Sequence, residues 1–516
     1  MHTDSQLRVV RACIVALIMT ASWGQRTPAQ AVKVVNIIPL KLSSETMDNS
    51  EPTLAVRPGT PTDLAASVHI WDKRWCNGAD PLSGYFVSTD GGENWTFLCA
   101  LPRRSTTPYD PTLRFSGDGK TLYIGYLLGN QFWLHAIDDF THPESLRTIV
   151  EPAPSTKEIY DQPQVLAFPG ASSKRVVIAM SGESGKSTEE SAKCRVHLHV
   201  ATSPTSAASF KTNCVGERPW LDNPYAVRIA THRSGRVYVA YLHTRRDSAG
   251  WDVVLQSGIL GSSSPKLDDL KEPSSARSKP CDIGDGLLGV RIEPCRIMSS
   301  QEEKEPIAEF GWETPFPSEL SVAVHPTNDQ EVYVAWGDSM HTGGPTVTLH
   351  VRKSTDGGKT WPKVDLFTVP NATNPALAVD SKGRLGFLYQ ELVGSGPFNW
   401  QTKLCITTFC NSPSPGATSL VLADTPAGTT KPQHDPYLGD YVSLTAAGDS
   451  FYGIFSARND PTDVTFPHGV KYLRACSGGS LRNNSGGTVD PSADPFFFRV
   501  QPDLAAAVPA STKPAC

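Results

Sequence analysis

Apolar runs of five or six residues alternate with turn-forming residues along most of the chain, and little of it follows the 3.6-residue period of a helix. Segments of one form recur: an acidic or amide residue, often a proline, an apolar strand, a turn and a second apolar strand. Copies open at Glu51 (EPTLAVRPGTPTDLAASVHIWD), Asp110 (DPTLRFSGDGKTLYIGYL), Asp161, Arg218, Glu319, Asn374 (NPALAVDSKGRLGFLYQE) and Asp435. Each reads as a hairpin. Most are followed by two further strand-like stretches, such as SGYFVST and WTFLCAL after the first. Four strands per repeat predict an all-β fold, a single β-propeller of four-stranded blades, because stacked blades bury their sheets against one another. Seven copies favour seven blades; six follow if one copy is a coincidence of proline and β-branched residues. Most openings lie 51 to 61 residues apart, but Arg218 and Glu319 are 101 apart. The excess is assigned to an insertion at about 258–316, rich in Ser, Pro and charge.

Two octamers interrupt this pattern with near-identity: STDGGENW at Ser88 and STDGGKTW at Ser354. Both fall between the third and fourth strand-like stretches of their repeats. The Asp carboxylate suits a tight turn by accepting backbone N–H groups, and the glycines supply positive φ. The spacing is not that of a phosphate-binding loop, and it offers too few oxygens for a calcium loop.

At the N-terminus, Arg8 and Arg11 precede the apolar run Ala12–Ser22, and Ala29-Gln30-Ala31 offers a small-x-small cleavage site. Residues 1–31 therefore read as a secretory signal peptide and 32–516 as the propeller domain, secreted or periplasmic. No later run reaches the roughly 18 apolar residues of a membrane span. Eleven cysteines less Cys13 leave ten, an even number that suggests disulfides in an exported chain. Their connectivity is open; pairing neighbours would give 76–99, 194–214, 281–295, 405–410 and 476–516. The net charge of −5, with three Arg and one Asp before residue 32, leaves −7 for the rest. Mild acidity without a basic block argues against a nucleic-acid partner. Asn371-Ala372-Thr373 fits a glycosylation acceptor.

The octamers resemble the Asp-box, or BNR, repeats of the sialidase-like propeller superfamily. The resemblance implies that Ser88, Asp90, Gly92, Trp95, Ser354, Asp356, Gly358 and Trp361 form structural turns on the face opposite an active site. Sialidases of that superfamily also carry an arginine triad, a Tyr–Glu nucleophile pair and an aspartic acid/base. Their Phe/Tyr-Arg-Ile-Pro stretch is absent here, and VRIEPC at Val290 falls inside the assigned insertion. Function must therefore be argued from the site.

In a propeller, the openings of the inner strands and the exits of the second strands ring one mouth of the central channel. This phasing gathers Glu51, Asp110, Asp161, Arg218, Glu319, Asn374 and Asp435 there. His69, Asp72, Glu183, His243, Arg245, Arg246, Asp338, Glu391, Arg458 and Asp460 join them. Two carboxylates can serve as acid and as base or nucleophile in glycan cleavage, and arginine forks suit carboxylated sugars. Asp72, Asp110 and Asp161 are the acid/base candidates, and Tyr441 is a nucleophile or hydrogen-bond donor. Arg218, Arg245 and Arg458 are candidates for binding an anionic group. Trp71, Trp75, Trp220, Trp336, Tyr437 and Tyr441 offer rings for sugars.

The opposing structural reading is that each opening carboxylate merely caps its own turn. No cofactor is required, although a calcium or magnesium ion at the carboxylate ring is conceivable. The reading reached is a sialidase-like glycoside hydrolase acting on an acidic sugar. Its alternatives are a polysaccharide lyase with a His or Tyr base, and a non-catalytic propeller that binds glycan or protein. The chain is expected to be a monomer.

Overall fold

The computed structural model describes residues 32–69, 73–76, 82–102, 108–129, 131–151, 158–170, 173–184, 196–201, 203–215, 227–244, 250–259, 290–297, 320–338, 348–395, 398–408, 410, 419–427, 438–461, 466–505 and 516. Residues 1–31, where an export segment is expected, lie outside them.

Seven antiparallel sheets form a seven-bladed β-propeller. Blade 1 is Thr53–Val56, Leu64–Ser67, Leu82–Ser88 and Thr96–Pro102. The inner strands of blades 2 to 7 are Tyr109–Phe115, Glu158–Ala167, Val227–Thr231, Leu320–His325, Ala372–Val379 and Ser443–Ala447. Apart from 3-10 turns and one helical turn, Pro502–Ala505, the described residues are strand and loop. No helix among them is long and apolar enough to cross a membrane.

Two strands depart from the sequence reading. In blade 4 the fourth strand is Val290–Ile297, paired with Gly250–Ile259. Part of the stretch assigned to an insertion therefore belongs to the blade, and VRIEPC opens its outer strand. The length of chain between these two strands hides the repeat. In blade 7 the fourth strand comes from the far end of the chain: Val32–Asn36 pairs antiparallel with Ala493–Val500, from Val32 opposite Val500 to Asn36 opposite Phe496. Lys471–Tyr472 adds a parallel strand outside it. The ring is closed by its two ends.

Middle strands are buried on both faces because each blade stacks on the next. Tyr452, Ile454 and Phe497 of blade 7 meet Leu64, Phe86 and Phe97 of blade 1, for example. Each such side chain contributes about 1.5–3 kcal/mol on burial. The inner strands pose a different problem, since their channel edges leave backbone N–H groups without ladder partners. Side-chain oxygens of the preceding blade supply them. Ser443 accepts from Leu54 N (3.3 Å), Thr112 from Val165 N (3.0 Å), Gln164 from Ile229 N (2.6 Å) and Ser321 from Leu377 N (3.0 Å).

The octamers are turns between third and fourth strands, in blades 1 and 5. Ser88 Oγ accepts from Gly92 N (3.0 Å) and donates to Asp90 (2.8 Å), which accepts from Asn94 N (3.0 Å). Trp95 Nε1 donates to Gly92 O (3.2 Å). Ser354, Asp356, Gly358, Thr360 and Trp361 repeat the arrangement. Burial alone would raise the Asp90 carboxyl, but hydrogen bonds from Asn94 and Ser88 hold it below its ordinary value. Each turn also presses on the preceding blade. A Cβ at Gly92 would lie 2.1 Å from the Phe497 ring, and one at Gly358 2.5 Å from Leu255.

Disulfides join Cys76 to Cys99 and Cys476 to Cys516. The 405–410 pairing is not formed. Both thiols are reduced and buried, and they contact each other inside the apolar layer between blades 5 and 6, where they pack as small hydrophobes. The pairings 194–214 and 281–295 involve side chains outside the described residues.

Candidate active site

The antiparallel order sets the inner-strand openings and second-strand exits at one end of the channel and the octamer turns at the other. Four inner strands open on a non-glycine residue of positive φ directly before a proline: Glu51 (55°), Asp110 (47°), Gln162 (42°) and Asn374 (54°). Register shifts at Tyr109/Thr112, Asp161/Gln164 and Thr373/Ala376 show that three of them are β-bulges. Such a conformation costs on the order of 1–2 kcal/mol per residue, so surrounding contacts must hold it. At two of them, Asp110 and Gln162, the opening side chain reaches across the mouth to other blades instead of capping its own turn.

Asp110 and Asp161 share a hydrogen bond between carboxyls. Burial, then the charges of Asp161 and Asp440, raise the Asp110 carboxyl well above its ordinary value. Burial also raises Asp161, against the hydrogen bond from Asp110. A hydrogen bond between two carboxyls requires one proton between them, and the stronger upward push falls on Asp110. Tyr441 OH lies 3.5 Å from Asp110 Oδ1, and burial and Asp110 push the phenol well above its ordinary range. Gln162 donates from its backbone N to Asp110 (3.4 Å) and from Nε2 to Asp440 (3.5 Å). Its Oε1 accepts from Arg228 at 2.9 Å. Burial works against the Arg228 charge, and Tyr441, Asp110, Asp161 and Asp440 support it. The guanidinium also lies 5.8 Å from the Tyr441 ring centre. Four blades thus supply one polar cluster.

Beside it, His69 Nδ1 stands 3.8 Å from Glu51 Oε2. Burial lowers the imidazole to about 4, so it is neutral at pH 7 and the approach is not an ion pair. Asn374 is tied to Gln390 and Gly439 O, both at 2.9 Å. No three His, Cys, Asp or Glu side chains among the described residues group as metal ligands.

The sequence candidates separate accordingly. Asp110, Asp161 and Tyr441 come together. Arg458 ends the second strand of blade 7 and pairs with Asp460 at 3.4 Å. Asp72, Arg218 and Arg245 lie outside the described residues, as do Trp71, Trp220 and Tyr437. Trp75 and Trp336 are core residues, not rim rings. Trp75 packs edge-on to Phe97 with ring centres 5.0 Å apart, and Trp336 stacks on His350 at 5.3 Å.

Sequence reading passed over Gln162, Arg228 and Asp440. Prolines set the repeat phase, so Asp161 stood in for Gln162, the residue directly before Pro163. Blades 4 and 7 begin later than assigned, at Val227 and Ser443. Counted back from the hydrogen-bonding joint at Ser443, Tyr441 takes the position that Asp110 holds in blade 2. Arg228 takes that of Thr112, and an arginine among Thr53, Thr112, Gln164, Ser321 and Ser443 was the available signal.

No protein-family model matches the chain, and no curated protein matches it. Similar solved structures include a protein of unknown function from Dyadobacter fermentans, at 12% identity and TM-score 0.40, over 91% of this chain and 99% of that one. A polysaccharide lyase, an ulvan lyase, matches at 10% identity and TM-score 0.38, over 69% and 78%. A Hadza microbial sialidase matches at 13% identity and TM-score 0.35, over 77% and 72%. At such scores nothing about the site follows from these likenesses.

Proposed function

We infer that the protein is an exported glycan-cleaving enzyme, a sialidase-like glycoside hydrolase acting on an acidic sugar at the propeller mouth. The observation that carries this reading is the cluster of Tyr441, the hydrogen-bonded Asp110–Asp161 pair and Arg228. Hydrogen-bonded carboxyls are too close to flank a glycosidic bond, which needs a separation of roughly 5–9.5 Å. The pair therefore acts as one unit that holds a proton and has room for another. Tyr441 O attacks the anomeric carbon and passes its proton to the pair, while Asp72 protonates the leaving oxygen. Water then releases the sugar, and Tyr441 recovers its proton. The 3.5 Å between Tyr441 and Asp110 is a resting distance that substrate would shorten. Arg228 and Arg458, with Arg218 and Arg245, favour an anionic sugar. The Asp-box resemblance of the octamers fits this fold and puts them on the far face.

His69 favours a second reading. An imidazole kept neutral beside Tyr109, with ring centres 6.3 Å apart, suits proton abstraction α to a uronate. Purified protein tested on sialosides, uronate polymers and neutral glycans separates these readings. Reducing ends without unsaturated product, lost in Tyr441→Phe and Asp110→Asn, support the hydrolase. Unsaturated product lost in His69→Ala supports the lyase. Absence of turnover with retained glycan or protein binding would leave the non-catalytic propeller.

A further inference from the structure

We propose that the channel beneath the mouth is a binding site for a small inorganic anion, held by Arg114. The channel holds a half-open cavity of about 380 Å³ walled by all seven inner strands. Arg114, Arg228 and His232 line it, and no Asp or Glu among the described residues does. Arg228 is compensated at the mouth by Asp110, Asp161 and Asp440. Arg114 is not: no hydrogen bond, ion pair or ring contact engages its guanidinium among the described residues, and burial is the sole influence on its ionisation. An arginine cannot escape that cost by losing its proton.

The position is also unusual within the repeat. Counted from the inter-strand hydrogen bonds, Arg114 is matched by Ala55, Ala230, Ala323 and Ala378 in four other blades. Ala230, Ala323 and Ala378 line the channel together with Arg114, and no carboxylate of the described residues lines that space. A planar cation in such a cavity, with no carboxylate among the described lining residues, attracts a halide or oxyanion. There the attraction exceeds that at a surface arginine, because the local dielectric is lower. Chloride or phosphate would fit with room for water. The site requires no glycan chemistry, so it stands or falls apart from the proposed activity.

Bromide-soaked crystals of the wild-type protein give a direct test, with an anomalous peak expected within contact distance of the Arg114 guanidinium. In parallel, melting temperature is followed in HEPES at low ionic strength while sodium chloride or sodium phosphate rises from about 1 to 100 mM, with saturation expected if the anion binds the native state alone. Arg114→Met reports the general salt effect. It should lose the saturable rise and melt no lower than wild type in anion-free buffer, whereas Arg114→Lys should keep a weaker response. No bromide peak in the channel overturns the proposal. So does an anion response unchanged in Arg114→Met, or a fixed deficit of that variant at every salt concentration, which would make Arg114 structural. If Arg114→Met does not fold, the bromide density decides.

Discussion

Asp110 stands at φ 47° with its carboxyl buried against Asp161 and facing Tyr441, and its ionisation is linked to folding. A carboxyl raised in the folded state binds more protons there than in the unfolded chain. Its contribution to stability therefore declines as pH rises from about 4, the unfolded value, through the folded one. Asp110→Asn removes that decline. The variant should melt higher than wild type at pH 7–8 and show a flatter profile between pH 5 and 8, measured by calorimetry. Its kcat/KM on the substrate found should fall about 10²–10⁴-fold, as expected for losing a proton-transfer group. A melting temperature below wild type at pH 8 would contradict the burial argument. At this scale the sequence was partly legible. Asp110, Asp161 and Tyr441 were visible as polar or aromatic breaks near strand openings. Gln162 and Arg228 were not, because a proline marks the start of a strand only to within a residue or more. The bulge that places Gln162 ahead of Pro163 is a property of pairing.

Each octamer turn serves two purposes, and substitutions should separate them. Asp90 gathers Asn94 and Ser88 within its own turn, so Asp90→Ala should cost about 1.5–3 kcal/mol, the range for hydrogen bonds to a charged group. Gly92 lies at φ 84° with Phe497 of blade 7 against it, so Gly92→Ala meets both backbone strain and a ring. It should destabilise more than Asp90→Ala in urea melts, and the same order should hold for Gly358→Ala over Asp356→Ala. Neither class should alter KM, since the turns lie at the far end from the mouth. The turn itself was legible from Ser-x-Asp-x-Gly-x-x-Trp, because its hydrogen bonds are local. Its contact with Phe497 joins residues about 400 positions apart, and no local pattern records it.

The ring as a whole depends on strand Val32–Asn36 completing blade 7 and on the segment after it. Arg474 binds Asp494 at 2.8 and 3.0 Å and donates to Ser43 O and Glu45 O. Glu45 lies in the same buried cluster; burial, then the charge of Asp494, raises its carboxyl well above normal against the pull of Arg474. Arg474→Ala would leave two buried carboxyls without their cation and should cost roughly 3–5 kcal/mol, read as a shift in the urea midpoint. Removing residues 32–36 exposes the edge of Ala493–Val500 with its row of phenylalanines. That truncation should fail to give a cooperatively melting monomer, as judged by circular dichroism and gel filtration.

The four-stranded blade repeat, its antiparallel hairpins and the octamer turns were determined by the sequence itself, which favoured seven blades over six, because each rests on residues within about sixty positions: alternation of apolar side chains, prolines, glycines and short side-chain hydrogen bonds. Closure by the N-terminal strand, the place of Val290–Ile297 in blade 4 and the meeting of Asp110, Asp161, Tyr441 and Arg228 were decided only by the tertiary structure. A repeat states what each blade is made of, but the phase of every strand, and so which side chains face one another across the channel, is set by hydrogen bonds and contacts between distant parts of the chain.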